Sequence, residues 1–233
     1  MNRIEQLIAE AREAENRSRQ GGDVAVEEEA AVPWWHRLVE ERLMVLPDQL
    51  DWLDTVGRAL AWLLLAWWAV SHAGMSVEAG EQAATFMHRV HLVFHEAGHI
   101  IFMPLGRFMS VLGGTLMQLL MPLAFVGAFL IQYRNAFGAS VALWWVGNSA
   151  LDVAPYAYDA RVQKLMLLGG VTGNDVPGYH DWNNLLRWTG YLDQAHTIGL
   201  AFWWAGVLIM GIALGWGLLL LIQQVRHLQT EPN

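Results

Sequence analysis

Residues 94–102 read Phe94-His95-Glu96-Ala97-Gly98-His99-Ile100-Ile101-Phe102, three ionisable side chains in an otherwise oily run. Whether that run sits in a soluble core or in a lipid bilayer decides the fold, and the composition around it gives the answer. Of the 233 residues, 55% are hydrophobic and 15% charged, with 13 tryptophans. An ordinary globular domain carries roughly 25% charged residues. The charges are also unevenly placed. No Asp, Glu, Lys or Arg falls between Arg58 and Glu78, Arg107 and Arg134, Arg134 and Asp152, or Asp193 and Arg226. A bilayer core of about 30 Å takes roughly 20 apolar helical residues, and each gap is at or near that length.

The expected fold class is an all-α polytopic membrane protein. Five transmembrane helices are predicted, at about 57–76, 83–105, 109–132, 136–153 and 195–224, making a transmembrane domain over 56–225 with a short tail at 226–233. A soluble helical bundle needs charged outer faces, and these segments have none. Cysteine is absent, which removes disulfides and thiolate metal ligands. The first 50 residues show no early apolar run of the kind that marks a cleavable signal peptide.

Basic residues near helix ends set the orientation. With five spans, eleven Lys and Arg fall on the N-terminal side of the membrane and three on the other. The N-terminus is therefore expected in the cytoplasm and the C-terminus outside, in a membrane such as a bacterial inner membrane. The lipid bilayer is the implied partner, and no nucleic acid is expected.

Residues 1–55 read as a cytoplasmic, interfacial region. Ile4, Leu7, Ile8 and Ala11 fall at helical spacing. Residues 18–31, with Gly21-Gly22 and Glu27-Glu28-Glu29, read as a linker. After Pro33, Trp34, Trp35, Leu38 and Val39 oppose Arg37, Glu40 and Glu41, which suits a helix on the membrane surface or one packed on the protein's own loops.

On a helix, residues four apart share a face, so His95 and His99 can grip one metal ion. Glu96 lies beside the first of them. This is the H-E-x-x-H arrangement, in which two histidines hold zinc and the glutamate is the general base. Ionisable residues inside a membrane helix are costly and usually functional. His88 and His91 extend the same stripe, as a polar path, a second metal contact or a water-accessible lining. Catalytic zinc usually has three protein ligands, so one is still to be found. The candidates after the fourth span are Asp152, Asp159 and His180, the last followed by Asp181, a carboxylate able to orient its ring or to cap the next helix. An ion pair of Asp159 with Arg161 is the plainer reading for that aspartate.

With these residues in place the chain resembles the site-2-protease family of intramembrane zinc metalloproteases. His95 to His99 match the family's first motif in full. Gly113-Gly114-Thr115-Leu116-Met117-Gln118 looks like its glycine-rich second span, with Gln118 where an asparagine is common. Pro155 and Asp159 look like the proline and aspartate of its third motif, although no Leu-Asp-Gly triplet is present and Asp152 stands where the family places Asn. The resemblance implies a zinc endopeptidase with His95 and His99 as ligands, Asp159 as the first-ranked third ligand, ahead of His180 and Asp152, and Glu96 as base. Its substrate would be a membrane-associated protein cut near the cytoplasmic face. Gln118 and Asn148 are the expected contacts to the substrate strand or oxyanion.

The polar stretch 154–193, with Gly169-Gly170, Gly173-Asn174 and Pro177-Gly178, is expected as a cytoplasmic loop that controls entry. An amidase or lipid hydrolase using the same groups, or a scaffold that retains the motif without catalysis, are the alternatives.

Overall fold

In the computed structural model of the protein, residues 12–13, 39–47 and 49–230 are described. The expected helix at Ile4 to Ala11, the linker at 18–31, and Trp34, Trp35 and Leu38 lie outside the described residues. Six helices make up the unit Val39–Asn233, and no strand occurs among the described residues. They are α1 (Trp52–Ala73), α2 (Phe86–Phe102), α3 (Arg107–Ile131), α4 (Ala136–Tyr158), α5 (Asp181–Thr189) and α6 (Ala195–Thr230).

Polar caps start the apolar helices where the sequence supplies them. The Asp51 carboxylate accepts from the Asp54 amide, the Thr85 hydroxyl from His88 and the Asn135 side chain from Gly138. Each satisfies a helix-start N–H that has no partner in its own helix.

Helix α4 is the central element, with 14 of its 23 residues buried. Its small residues set its distance from α6. A Cβ on Gly147 would stand 2.8 Å from the Gly206 carbonyl oxygen, and one on Gly206 2.6 Å from that of Gly147. Only glycine allows that approach, the usual device of helix contacts in lipid. Helices α2 and α3 meet the same way, since a Cβ on Gly113 would stand 2.6 Å from the Gly98 oxygen. Trp68, Trp144, Leu151 and Met210 pack where α1, α4 and α6 come together.

Three of these helices, α1, α3 and the stretch Leu192–Thr230 containing α6, are long and apolar enough to cross a membrane. The expectation of five spans is not met in full. Helix α2 has only 17 residues, short of the roughly 20 a bilayer core takes. Helix α4 is long enough, but it carries the buried polar residues Asn148 and Ser149 and the partly buried Asp152.

The shortness of α2 changes the topology. Near its start His88 meets Asp152, close to the end of α4, and at its end Phe102 meets Gly113, close to the start of α3. Both ends of α2 thus lie in one half of the bundle. Arg58 near the start of α1 and Gln224 near the end of α6 line one polar cavity of about 540 Å³, with Gln132, Arg134 and Asn135 between α3 and α4. A five-span path would carry these two ends to opposite faces. Here they share one.

The segment 39–47 docks on this same end. Val39–Leu43 form a single wide turn. Arg42 donates to the carbonyls of Leu130 and Ile131, capping α3, and Trp216 donates to the Leu43 carbonyl. Arg42 and Leu43, just past the helix expected after Pro33, are thus fastened to the bundle, while most of that helix lies outside the described residues.

Candidate metal centre

The centre is assembled at the other end of the bundle by α2, α3, α4 and α5. His95 and His99, one turn apart on α2, bring their rings to a centroid distance of 4.9 Å. Space for them comes from α3, where a Cβ on Gly114 would stand 2.6 Å from His95 Nε2 and 2.8 Å from His99 Cε1.

The third group comes from α5. Arg107 lies over the Trp188 ring at 5.1 Å, fastening α5 to the start of α3. Trp182, Leu185 and Leu186 bury the inner face of α5 against Val153, Ala157 and Ala195. His180 closes the N-terminus of α5, its Nδ1 accepting from the Asn183 amide, and Asn183 donates to the Ala160 carbonyl at 2.7 Å. The Asp181 amide donates to the Tyr156 hydroxyl, which in turn donates to Asp181 Oδ2 at 3.1 Å.

So held, Asp181 Oδ2 lies 3.2 Å from His95 Nε2 and 3.3 Å from His99 Nε2. Among the described residues, His95, His99 and Asp181 are the one group of three or more His, Cys, Asp or Glu whose donor atoms converge this closely. Ligand atoms bonded to a tetrahedral zinc at 2.0–2.2 Å sit about 3.3–3.6 Å apart. The two aspartate–histidine separations lie at the short end of that spacing.

The second nitrogens of the rings supply the stronger test. His95 Nδ1 lies 3.2 Å from Gln118 Oε1, and His99 Nδ1 lies 2.9 Å from the Ser110 carbonyl oxygen. Both partners only accept, so each Nδ1 carries a proton, which leaves Nε2, facing Asp181, as the nitrogen that would bind a metal. This is the outer arrangement that metal-binding histidines adopt, and the donor set of two imidazoles and a carboxylate suits zinc. Burial raises the pKa of Asp181, but hydrogen bonds from His95 and His99 outweigh it and hold the carboxyl down at about 2. It is therefore an anion at neutral pH.

The trio opens on a cavity of about 730 Å³ whose walls include His88, Glu96, Gln118, Asp152 and Tyr156. Glu96 is exposed to this space. Part of the wall is the loop stretch from Leu165 to Gly170, together with Gly178 and Tyr179. The loop expected to control entry does border the site. Asp159 fixes the loop, its carboxylate accepting from the Lys164 and Leu165 amides at 3.0 and 2.8 Å.

The residues singled out from the sequence divide accordingly. His95, Glu96, His99 and Gln118 are brought together. Asp159, ranked first as third ligand, faces the loop and His180 instead, with Oδ2 3.5 Å from His180 Nε2. Burial alone would raise its pKa, but the His180 contact and the two amides lower it. His180 is wholly buried and occupied as a cap. Asp152 pairs with His88 at 2.8 Å and His91 at 3.4 Å. Asn148 bonds to His72 and lines no part of the cavity. Arg161 pairs with Asp193 rather than Asp159.

The residue brought to His95 and His99 as a candidate third ligand is therefore Asp181, which the sequence offered only as a neighbour of His180 or as a cap. The sequence places a carboxylate beside a histidine after Pro177-Gly178, but which of the two turns inward depends on which one caps α5. Ser110 and Tyr156 gave no signal at all, since one acts through its backbone and the other through a fold contact. Compared with protein-family models, curated proteins and solved structures, the chain matches none of them.

Proposed function

We propose that the protein is a zinc-dependent membrane endopeptidase. The observation that carries the reading is the convergence of His95 Nε2, His99 Nε2 and Asp181 Oδ2, with Glu96 on the wall of the same cavity. When bound there, zinc supplies a Lewis acid and lowers the pKa of water from about 15.7 to about 7. The chain's own residues do the rest. Glu96 takes the proton from the attacking water and later delivers it to the leaving amine. Asp181 and the two imidazoles hold the charge balance and fix the direction of attack. The apolar walls formed by Leu92, Val111, Leu167 and Leu168 receive an unwound, apolar stretch of a membrane protein.

The expectation of cleavage near the cytoplasmic face changes with the topology. Nine of the 14 Lys and Arg precede α1, lie at its start, or sit near the α3–α4 turn and the end of α6; Arg89, Arg107, Arg161, Lys164 and Arg187 are in the other half. The excess of basic residues marks the cytoplasmic side, so cleavage falls on the opposite face.

The test uses zinc-loaded protein in liposomes with a fluorescent single-span model substrate. The expected result is a new amino terminus within or beside the span, absent with Glu96→Gln. Equal cleavage by both proteins contradicts the reading. Fatty-acid release from the vesicle lipid that depends on Glu96, without peptide cleavage, would replace it with lipid hydrolysis.

A further inference from the structure

A second polar cluster lies in the same cavity, and the proposed chemistry does not use it. The Asp152 carboxylate, only 9% exposed at its side chain, accepts from His88 and faces His91. Its Oδ2 also accepts from Gln118 Nε2 at 2.8 Å. A carboxylate of this kind inside a membrane bundle is expensive to keep.

What it does follows from the inventory of donors and acceptors. An ionised carboxylate only accepts, so Gln118 must turn its NH2 group toward Asp152. The Ser149 carbonyl, 3.4 Å from the same Nε2, asks for the same orientation. Gln118 Oε1 is then committed to the other side, where it meets His95 Nδ1 at 3.2 Å. A carbonyl oxygen there requires a proton on Nδ1, and that reserves Nε2, which faces Asp181, as the nitrogen whose lone pair a metal would take. If Gln118 were reversed, its NH2 would face Nδ1, favour the other tautomer and put the proton where a metal must bind.

We propose that Asp152 is a positioning residue for the metal centre. Acting through Gln118, it fixes the tautomer of His95 without touching the metal itself. The proposal rests on the zinc reading of the trio, but its test separates the two. Outer-shell partners of metal-binding histidines change metal affinity by about 10-fold to 100-fold.

The experiment measures zinc affinity by chelator competition in the full-length protein, alongside the thermal unfolding midpoint. The proteins are wild type, Asp152→Asn and the exchanged pair Asp152→Asn with Gln118→Glu. Asp152→Asn introduces an NH2 group at this position and so releases Gln118 to reverse; zinc binding is expected to weaken about 10-fold to 100-fold. In the exchanged pair, the carboxylate now at position 118 only accepts. It takes one bond from the amide at position 152 and one from His95 Nδ1, and affinity returns to within a few-fold of wild type.

The 15N spectrum of metal-free wild type should show His95 protonated at Nδ1, with Asp152→Asn shifting it toward the other tautomer. The shapes are nearly unchanged, so the variants should fold. Wild-type zinc affinity in Asp152→Asn, or an exchanged pair no better than Asp152→Asn, overturns the proposal. If the wild type binds no zinc, the metal reading fails first, and the tautomer spectrum still decides the relay.

Discussion

His180 and Asp181 are adjacent in the chain, yet one is sealed into the structure and the other joins the candidate metal centre. Each forms a histidine–aspartate contact, His180 with Asp159 and Asp181 with His95 and His99. In the first, every good acceptor is used. His180 Nδ1 caps α5, the oxygens of Asp159 accept loop amides, and His180 has no exposed surface. In the second, the ring nitrogens that face away are tied to carbonyl oxygens, and the two Nε2 atoms converge with Asp181 Oδ2 beside a cavity. Residue type is the same in both. What separates a candidate ligand set from a structural pair is whether the donor atoms converge on one point beside a cavity or are used up by the fold.

The largest expected effect that separates the two pairs is on metal content. Asp181→Ala should leave purified protein without stoichiometric zinc by elemental analysis, whereas Asp159→Ala and His180→Ala should retain it. Zinc lost from Asp159→Ala and kept in Asp181→Ala would reverse the assignment. Next in size is Glu96→Gln, which should bind zinc normally and lower peptide cleavage by about 10²–10⁴-fold, the usual worth of a positioned general base. Gly114→Ala comes third. Its Cβ would press on the zinc-facing edge of His95, and zinc affinity should fall by about 10-fold or more, a size comparable to loss of an outer-shell partner.

The smallest effects concern the structural pair. Asp159→Ala removes an acceptor shared by two loop amides, and each hydrogen bond to a charged group contributes about 1.5–3 kcal/mol. A loss of about 2 kcal/mol, read from faster hydrogen exchange at Lys164 and Leu165 with zinc unchanged, is expected. The same carboxylate gives the loop a pH dependence. Its folded pKa lies below the ordinary value near 3.9, so its stabilisation is fully present above about pH 4 and is lost as the pH falls through the lower folded value. Exchange at these two amides should accelerate in that acid range in the wild type and show no such rise in Asp159→Ala. A wild-type loop indifferent to acid would show that Asp159 does not hold it.

Much of this was legible in the sequence because it depended on local pattern. The charge-free runs gave the helices, and the spacing of His95, Glu96 and His99 gave the core of the site. Two of the five expected spans are not among the three helices long and apolar enough to cross. At Phe86–Phe102 apolar residues continue past the α-helix into Met103, Pro104 and Leu105 and make the segment look longer than its 17 residues, and Ala136–Tyr158 carries polar residues. The third ligand was hidden for a different reason. It is brought in by α5, an amphipathic helix of nine residues, and its approach is fixed by Arg107 over Trp188 and by Tyr156, contacts between distant parts of the chain. Periodicity carries no record of such contacts. The same holds for Gln118, whose type suggested substrate contact, while its two neighbours, Asp152 and His95, give it a place between them.

Whether two imidazoles and one carboxylate form the proposed metal centre is read most plainly from the zinc K-edge absorption spectrum of the loaded protein. Only nitrogen and oxygen neighbours at about 2.0–2.2 Å are expected, with the outer-shell scattering of two imidazole rings, and the loss of one light-atom neighbour in any Asp181→Ala protein forced to load. Scattering from three imidazoles, with a spectrum unchanged by Asp181→Ala, would mean that His180 has left its cap to bind the metal and would contradict that expectation.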